Sequence, residues 1–239
     1  MFVPFGTSHV TALALIVGGA AALIALARRW AAPALIRSVR VALASWLMAC
    51  WAAWVVFVYA RGWNSVATLL PMNLCDWATI VVTVTLLVPN QWCYELGYFW
   101  GLGGTLQALV TPALTIDFPS PAFLLFFALH GGAIVSVLFL TFATRMRPWP
   151  SSLPRVAFWS FVYLSSALAV NALFGTNFGF LSAKPAEPSL LDYLSPWPVY
   201  IFEEVLLGAG IIALLYAPYF VRDRIVARST VRPQRDKRF

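Results

Sequence analysis

Charge is scarce in this chain: Asp, Glu, Lys and Arg make up 10% of its 239 residues, against ~25% in ordinary soluble domains. So little polar surface excludes a water-soluble globule. It also excludes a nucleic-acid module, which needs polar surface to carry its basic groups. Cysteine is nearly absent: Cys50, Cys75 and Cys93 show neither CxxC nor CxxxC spacing. A disulfide scaffold and a zinc site are therefore unsupported, and no cofactor is implied. No internal repeat is visible, nor matching broken helices in two halves, so the inverted-repeat signature of many transporters is missing. The last apolar run lacks a lysine for a Schiff base, which disfavours a retinal-type protein.

What is present is apolar bulk. Hydrophobic residues reach 61% and aromatic residues 15%, and the mean hydropathy is +0.81. Residues 1–27, 41–60, 77–94, 96–116, 118–144, 156–183 and 205–221 hold no Asp, Glu, Lys or Arg. A helix of about 20 apolar residues crosses the ~30 Å hydrocarbon layer. These runs predict an all-α, polytopic membrane protein, a bundle of seven transmembrane helices near 8–27, 41–60, 66–88, 92–112, 121–144, 154–174 and 198–220. The first run is expected to be a helix and not a cleaved secretory leader, because Met1–Thr7 carries no basic residue while Arg28 and Arg29 follow the apolar stretch, the reverse of a signal peptide.

The basic residues orient this bundle. Arg28, Arg29, Arg37 and Arg40 lie between helices one and two, and Arg145, Arg147 and Arg155 between five and six. Arg222, Arg224, Arg228, Arg232, Arg235, Lys237 and Arg238 lie in the tail, leaving only Arg61 and Lys184 on the other side. Cytoplasmic loops collect Lys and Arg, so the N-terminus is expected outside and the C-terminus cytoplasmic. The net charge of +7 then reads as orientation. Residues 175–197, polar and proline-rich, are expected to cap the outer face. The tail 222–239 is expected to be a disordered basic arm meeting anionic lipid headgroups. Trp30, Trp63, Trp92, Trp149 and Trp197 fall near predicted span ends, as an aromatic belt would place them.

Polar side chains at bilayer depth are costly and mark function. Cys75 and His130 each fall about nine residues into a predicted helix running inward, or ~14 Å at ~1.5 Å per residue. At matching depth on different helices, a thiol and an imidazole can meet in the interior. A thiol becomes a good nucleophile once a base takes its proton, and histidine does this near neutral pH. The plainer reading of His130 is an interhelical hydrogen bond. Asn73, Asp76, Gln107, Asn177 and Glu204 are further candidates, for binding substrate, donating to an oxyanion or orienting the imidazole. Gly101, Gly103, Gly104, Gly131 and Gly132 permit close helix packing, with room for an acyl chain as the alternative.

The runs Pro71-Met-Asn-Leu-Cys75-Asp, Glu95-Leu-Gly-Tyr-Phe-Trp-Gly101, Thr105-Leu-Gln107-Ala-Leu-Val-Thr-Pro112 and Phe127-Ala-Leu-His130-Gly-Gly resemble the YwaF family of bacterial integral membrane proteins. Gly175-Thr-Asn177-Phe-Gly-Phe-Leu-Ser-Ala-Lys-Pro185 and Leu191-Asp-Tyr-Leu-Ser-Pro-Trp197-Pro-Val-Tyr200 extend the likeness, which covers about 70 to 204. That family is similar to a eukaryotic multispanning protein implicated as a cysteine-dependent acyltransferase of ether phospholipids. The resemblance implies a Cys–His pair, matched by Cys75 and His130, a bacterial inner-membrane location and membrane lipids as substrate. A transporter or channel using the same polar cluster, and a membrane scaffold in which Cys75 and His130 merely hydrogen-bond, are the competing readings.

Overall fold

Inside a bilayer each backbone N–H and C=O must be satisfied within its own segment, so uncharged runs of this length fold as helices. The computed structural model describes residues 1–186 and 189–230 and is all-helical, with no strand among the described residues. Helices α1 (Thr7–Trp30) and α2 (Pro33–Ala60) come first, then the short α3 (Val66–Leu69) and α4 (Leu74–Leu87). Next, α5 (Gln91–Trp100), a π-helical turn (Gly101–Thr105) and α6 (Leu106–Val110) follow one another without a gap. The chain continues with α7 (Pro121–Phe142), α8 (Ser152–Phe174) and α9 (Val199–Thr230). Six stretches are long and apolar enough to cross a membrane: α1, α2, Val66–Leu87, α7, α8 and Val199–Ala227.

The stretch predicted at 92–112 is helical from Gln91 to Val110 but less apolar, because Gln91, Glu95, Thr105 and Gln107 lie on it. It tolerates them because protein surrounds it. Every residue from Tyr94 to Trp100 is buried, packed among α4, α7 and α8. The main core gathers there, with Tyr94, Phe99 and Trp100 against Leu47 of α2, Val82 of α4 and Val137 of α7.

Three expectations change. First, α2 begins at Pro33, whose fixed φ and missing N–H suit a first helical position. Arg37 and Arg40 therefore lie on a helix, not in a loop, and Arg40 donates to the Thr85 carbonyl at 3.2 Å. Second, the helix predicted at 66–88 is broken. Leu70, held extended ahead of Pro71 (φ −78°, ψ 124°), ends α3. Helix α4 then restarts on a capping box: the Asp76 carboxylate accepts from the Asn73 backbone N–H at 2.9 Å and its side-chain amide at 3.2 Å. Cys75 is thus the second residue of a new helix, so the depth count through a continuous one does not apply. Third, α9 runs on to Thr230 with Pro218 inside it. The basic arm expected at 222–239 is helical for its first part, and residues 231–239 lie outside the described residues.

Side-chain contacts sort the two ends of the bundle. At one end Arg28 donates to the Phe142 carbonyl at 3.0 Å. Arg147 makes a bidentate pair with Asp223 at 2.8 and 3.0 Å, and Arg155 pairs with the buried Glu95 at 2.8 Å. At the other end Ser8 donates to Asp117 at 2.6 Å. That bond and the Phe118 N–H hold the Asp117 carboxyl below the usual carboxylate range. His9, fully buried, accepts from the Phe5 N–H through Nδ1 at 2.9 Å. Nδ1 therefore carries no proton, and Nε2–H donates to the Leu109 carbonyl at 2.8 Å.

Residues 175–197 cross this second end with 3₁₀ turns at Phe178–Phe180 and Leu190–Tyr193, Glu187 and Pro188 lying outside the described residues. Asn171 anchors the loop. Its amide donates to the Phe178 carbonyl at 3.0 Å and accepts from the Thr176 hydroxyl and the Phe178 N–H, both at 2.8 Å. Trp30, Trp63, Trp92, Trp149 and Trp197 are all exposed on the protein's own surface.

Candidate functional site

A cavity of about 490 Å³ opens at the end where α4 restarts, a size within the range of about 300–1,000 Å³ typical of small-molecule sites. Its walls come from the α3–α4 link, the π turn with α6, α7 and the 175–197 loop, with Trp51 and Trp54 from α2 and Glu204 from α9. Most of the lining is apolar. The polar side chains among it are few: Thr68, Asn73, Cys75, Asp76, Gln107, Thr111, His130, Ser189 and Glu204.

The broken helix positions Cys75. A helix leaves its first N–H groups without intrahelical partners. Two of these in α4, on Asp76 and Trp77, return to the Asn73 carbonyl at 3.0 and 3.3 Å. That of Leu74 faces the Tyr163 hydroxyl and that of Cys75 faces its own sulfur, neither bonding back to an earlier carbonyl. The thiol lies against the Thr105 hydroxyl. Thr105 is fully buried, and its Oγ1 makes no hydrogen bond of ordinary geometry. Thr105 reaches this place because the π turn of Gly-Leu-Gly-Gly-Thr carries an extra residue through the helix, a feature often found at functional sites.

Helix α7 fixes His130 from the opposite wall. The ring stacks on Phe126, centroids 4.1 Å apart and planes at 24°, and Nδ1 lies 2.9 Å from the Phe126 carbonyl. A carbonyl only accepts, so Nδ1 carries the proton and Nε2 carries the lone pair. Nε2 has no hydrogen-bond partner among the described residues. A backbone carbonyl thus sets the tautomer. The glycines beside His130 serve packing: a Cβ on Gly131 would sit 2.6 Å from Ile16 of α1, and one on Gly132 2.9 Å from Trp46 of α2.

Six of the seven residues singled out from the sequence meet here: Cys75, His130, Asn73, Asp76, Gln107 and Glu204 all line the cavity. Asn177 does not. Its amide staples the loop, donating to the Ala183 carbonyl at 2.8 Å and accepting from the Ser182 and Ala183 N–H groups at 2.9 and 3.0 Å. Asp76 caps α4, so it is committed to Asn73 and leaves the imidazole to Phe126. The Asn73 carbonyl oxygen of the side chain accepts from the Gly179 N–H at 3.3 Å, tying the loop to α4.

Two residues escaped the sequence reading, Thr105 and Tyr163. Tyr163 of α8 stands near Cys75, Asp76 and Glu204 and packs its ring on Trp77 with centroids 5.5 Å apart. A tyrosine deep in an apolar run normally needs a hydroxyl partner, which is the signal that marks it. Thr105 gives none, since buried threonines elsewhere simply bond back to their own helix, as Thr85 does to Val81. Among the described residues no three of His, Cys, Asp and Glu gather as a metal site would need.

The family model of the TMEM164 family matches residues 4–216. This chain belongs to the TMEM164 family. It is a multi-pass membrane protein, and the match spans the cavity and all of its lining. No curated protein and no solved structure matches the chain. In this TMEM164-family protein one cavity is lined both by a thiol at a helix start and by an imidazole whose Nε2 carries the lone pair.

Proposed function

We propose that this TMEM164-family protein is a membrane-embedded acyltransferase or lipase that acts on phospholipid acyl chains through a Cys75 thioester. The observation that carries the reading is the shared cavity. Cys75 and His130 line one apolar chamber, and the ring presents Nε2 as a base. Nε2 takes the thiol proton, and the sulfur attacks the ester carbonyl of a lipid. The tetrahedral oxyanion accepts from the Cys75 N–H at the start of α4, with the Asn73 and Gln107 amides as further donors. His130 returns its proton to the departing lipid hydroxyl, leaving an acyl thioester on Cys75. A second lipid or water then takes the acyl group. The motif resemblance to the YwaF family supports this chemistry.

The same proposal sets the protein in a bacterial inner membrane as seven helices. The polar stretch Gln91–Val110 is the seventh, shielded by its neighbours. The N-terminus lies outside and the arginine-rich end inside, where the tail meets anionic headgroups. The arginine distribution supports this orientation. Acyl chains then enter the cavity from the outer leaflet.

The test is acyl transfer between labelled phospholipids in liposomes, with Cys75→Ala and His130→Ala beside the native protein. Both variants are expected to lose transfer. Undiminished transfer in both would end the proposal, and solute flux that survives the loss of Cys75 would favour a transporter.

A further inference from the structure

Buried polar atoms in native proteins almost always have partners, and those without one call for an explanation. Among the described residues six buried side-chain atoms lack a hydrogen bond. Arg40 Nε, Glu95 Oε2 and Arg155 Nε belong to the arginine-rich end, where an ion pair or a neighbouring carbonyl satisfies the rest of each group. The other three are Thr105 Oγ1, Glu204 Oε2 and Tyr163 Oη, the last facing the Leu74 N–H without a bond of ordinary geometry. They come from three different elements, the π turn, α8 and α9, and Glu204 lines the same cavity as Cys75. Thr105 touches the thiol, and Tyr163 stands near both Cys75 and Glu204. Thr105 is 0% and Tyr163 7% exposed, so bulk water does not reach these groups freely.

Gly179 keeps a side chain out of this nest. Gly179, at φ +65° in the 3₁₀ turn over the site, would put a Cβ 2.7 Å from the Tyr163 hydroxyl. A left-handed φ favours glycine in any case, and here any side chain would collide with the buried tyrosine hydroxyl. The set offers two hydroxyls that donate or accept and one carboxylate that accepts when ionised. Among the described residues no Lys or Arg lines the cavity, so the nest is unsuited to an anionic group.

We infer that Thr105, Tyr163 and Glu204 form the acceptor subsite, which binds the hydroxyl compound that resolves the Cys75 thioester, with Glu204 as its base. This inference rests on the acyl-enzyme reading above. The hydroxyl of water or of an acceptor alcohol donates to Glu204 and accepts from Tyr163. Its oxygen attacks the thioester carbonyl, forming the new C–O bond while its proton passes to the Glu204 carboxylate. The C–S bond then breaks, and the thiolate leaves against the Thr105 hydroxyl, which donates to it. The proton moves from Glu204 to the sulfur and restores the free thiol. His130 serves the first half of the cycle and Glu204 the second.

The experiment uses the full chain in detergent micelles with p-nitrophenyl octanoate, which separates the halves. An initial burst of p-nitrophenolate counts acylation of Cys75, and the later steady rate reports its release. Lysophospholipid added as acceptor separates an alcohol from water, by new diacyl lipid against free octanoate. Glu204→Gln is expected to keep a burst of one equivalent while the steady rate falls by about 10²–10⁴, the usual worth of a general base. Hydroxylamine, a nucleophile that needs no base, should restore release in that variant. Tyr163→Phe should lower the steady rate about tenfold or more with its burst intact, and Thr105→Ser should release faster than Thr105→Val. A Glu204→Gln variant that loses burst and steady rate together, or loses neither, overturns the assignment. So does a Tyr163→Phe variant with a native steady rate. Absence of any burst in the native protein, or a burst that persists in Cys75→Ala, instead sinks the acyl-enzyme reading itself.

Discussion

Replacing Gly97 by alanine should loosen the joint that holds Cys75 in place. Gly97 lies on α5 against α4, and a Cβ there would sit 2.6 Å from Cγ2 of Val82. Carbon atoms rest at about 3.5–4.0 Å, so the added methyl is short of room by ~1 Å. Val82 cannot swing aside. Its β-branched side chain has one strongly preferred rotamer in a helix, and it is 1% exposed in the main core. The helices must therefore separate. Overpacking of this kind costs up to about 3 kcal/mol, and alanine regains ~1 kcal/mol of helix propensity over glycine, leaving a net loss of about 2 kcal/mol. Helix α4 carries Cys75 with it, and a displacement of ~1 Å at reacting groups can cost about 10²-fold in rate. Thermal unfolding in detergent, followed by tryptophan fluorescence, reads the first effect, and acyl transfer in liposomes reads the second. Gly18, where a Cβ would meet nothing within 4 Å, is the control for propensity alone. Adding Val82→Ala should return part of both losses. A Gly97→Ala protein as stable and as active as Gly18→Ala would refute the reasoning.

Asn171→Ala removes three hydrogen bonds, two of them buried, and leaves the Phe178 N–H unpaired while the Phe178 carbonyl keeps only the Leu181 N–H at 3.4 Å, at ~1–3 kcal/mol for the unpaired group. The 175–197 loop should detach, seen as faster protease cleavage there while the helices stay intact; native cleavage rates would contradict the anchoring. The proposed topology predicts that a reporter fused after Phe239 is fluorescent as a cytoplasmic protein and inactive as a secreted phosphatase. The opposite pattern would reverse the orientation of the bundle.

Much of this architecture was legible because lipid leaves few options. Uncharged runs long enough to span could only be helices, and α1, α7 and α8 fall close to where hydropathy puts them. The interruptions were harder. Pro71 was visible, yet the apolar run 66–88 masked its effect, and only the Asn73–Asp76 box shows that the chain leaves the helix and re-enters it. The π turn was hidden for a different reason: Gly101, Gly103 and Gly104 read equally well as packing residues or as space for a chain. In the structure Gly101 meets Val137, while Gly104 both meets Leu74 and lines the cavity.

The site was legible in its chemistry and not in its wiring. Matched depth in two predicted helices and the motif resemblance marked Cys75 and His130; the break before α4 removes the depth count, yet both line the cavity. Their supports do not stand out. The Phe126 carbonyl that sets the imidazole tautomer has no signature in sequence, because every residue has a carbonyl. Asp76 looked like an orienting carboxylate because it adjoins Cys75, but its position three residues after Asn73 serves the helix cap. Asn177 sits in a motif rich in turn formers and spends its amide on that turn.

The central claim is a covalent acyl group on Cys75, and mass spectrometry of the protein tests it most directly. After incubation with vesicles holding a phospholipid with a labelled acyl chain, the peptide containing Cys75 should gain the mass of that chain. The adduct should be cleaved by hydroxylamine, as a thioester is, and fall sharply in His130→Ala. A Cys75 peptide that stays unmodified while the native protein transfers acyl chains would contradict the account.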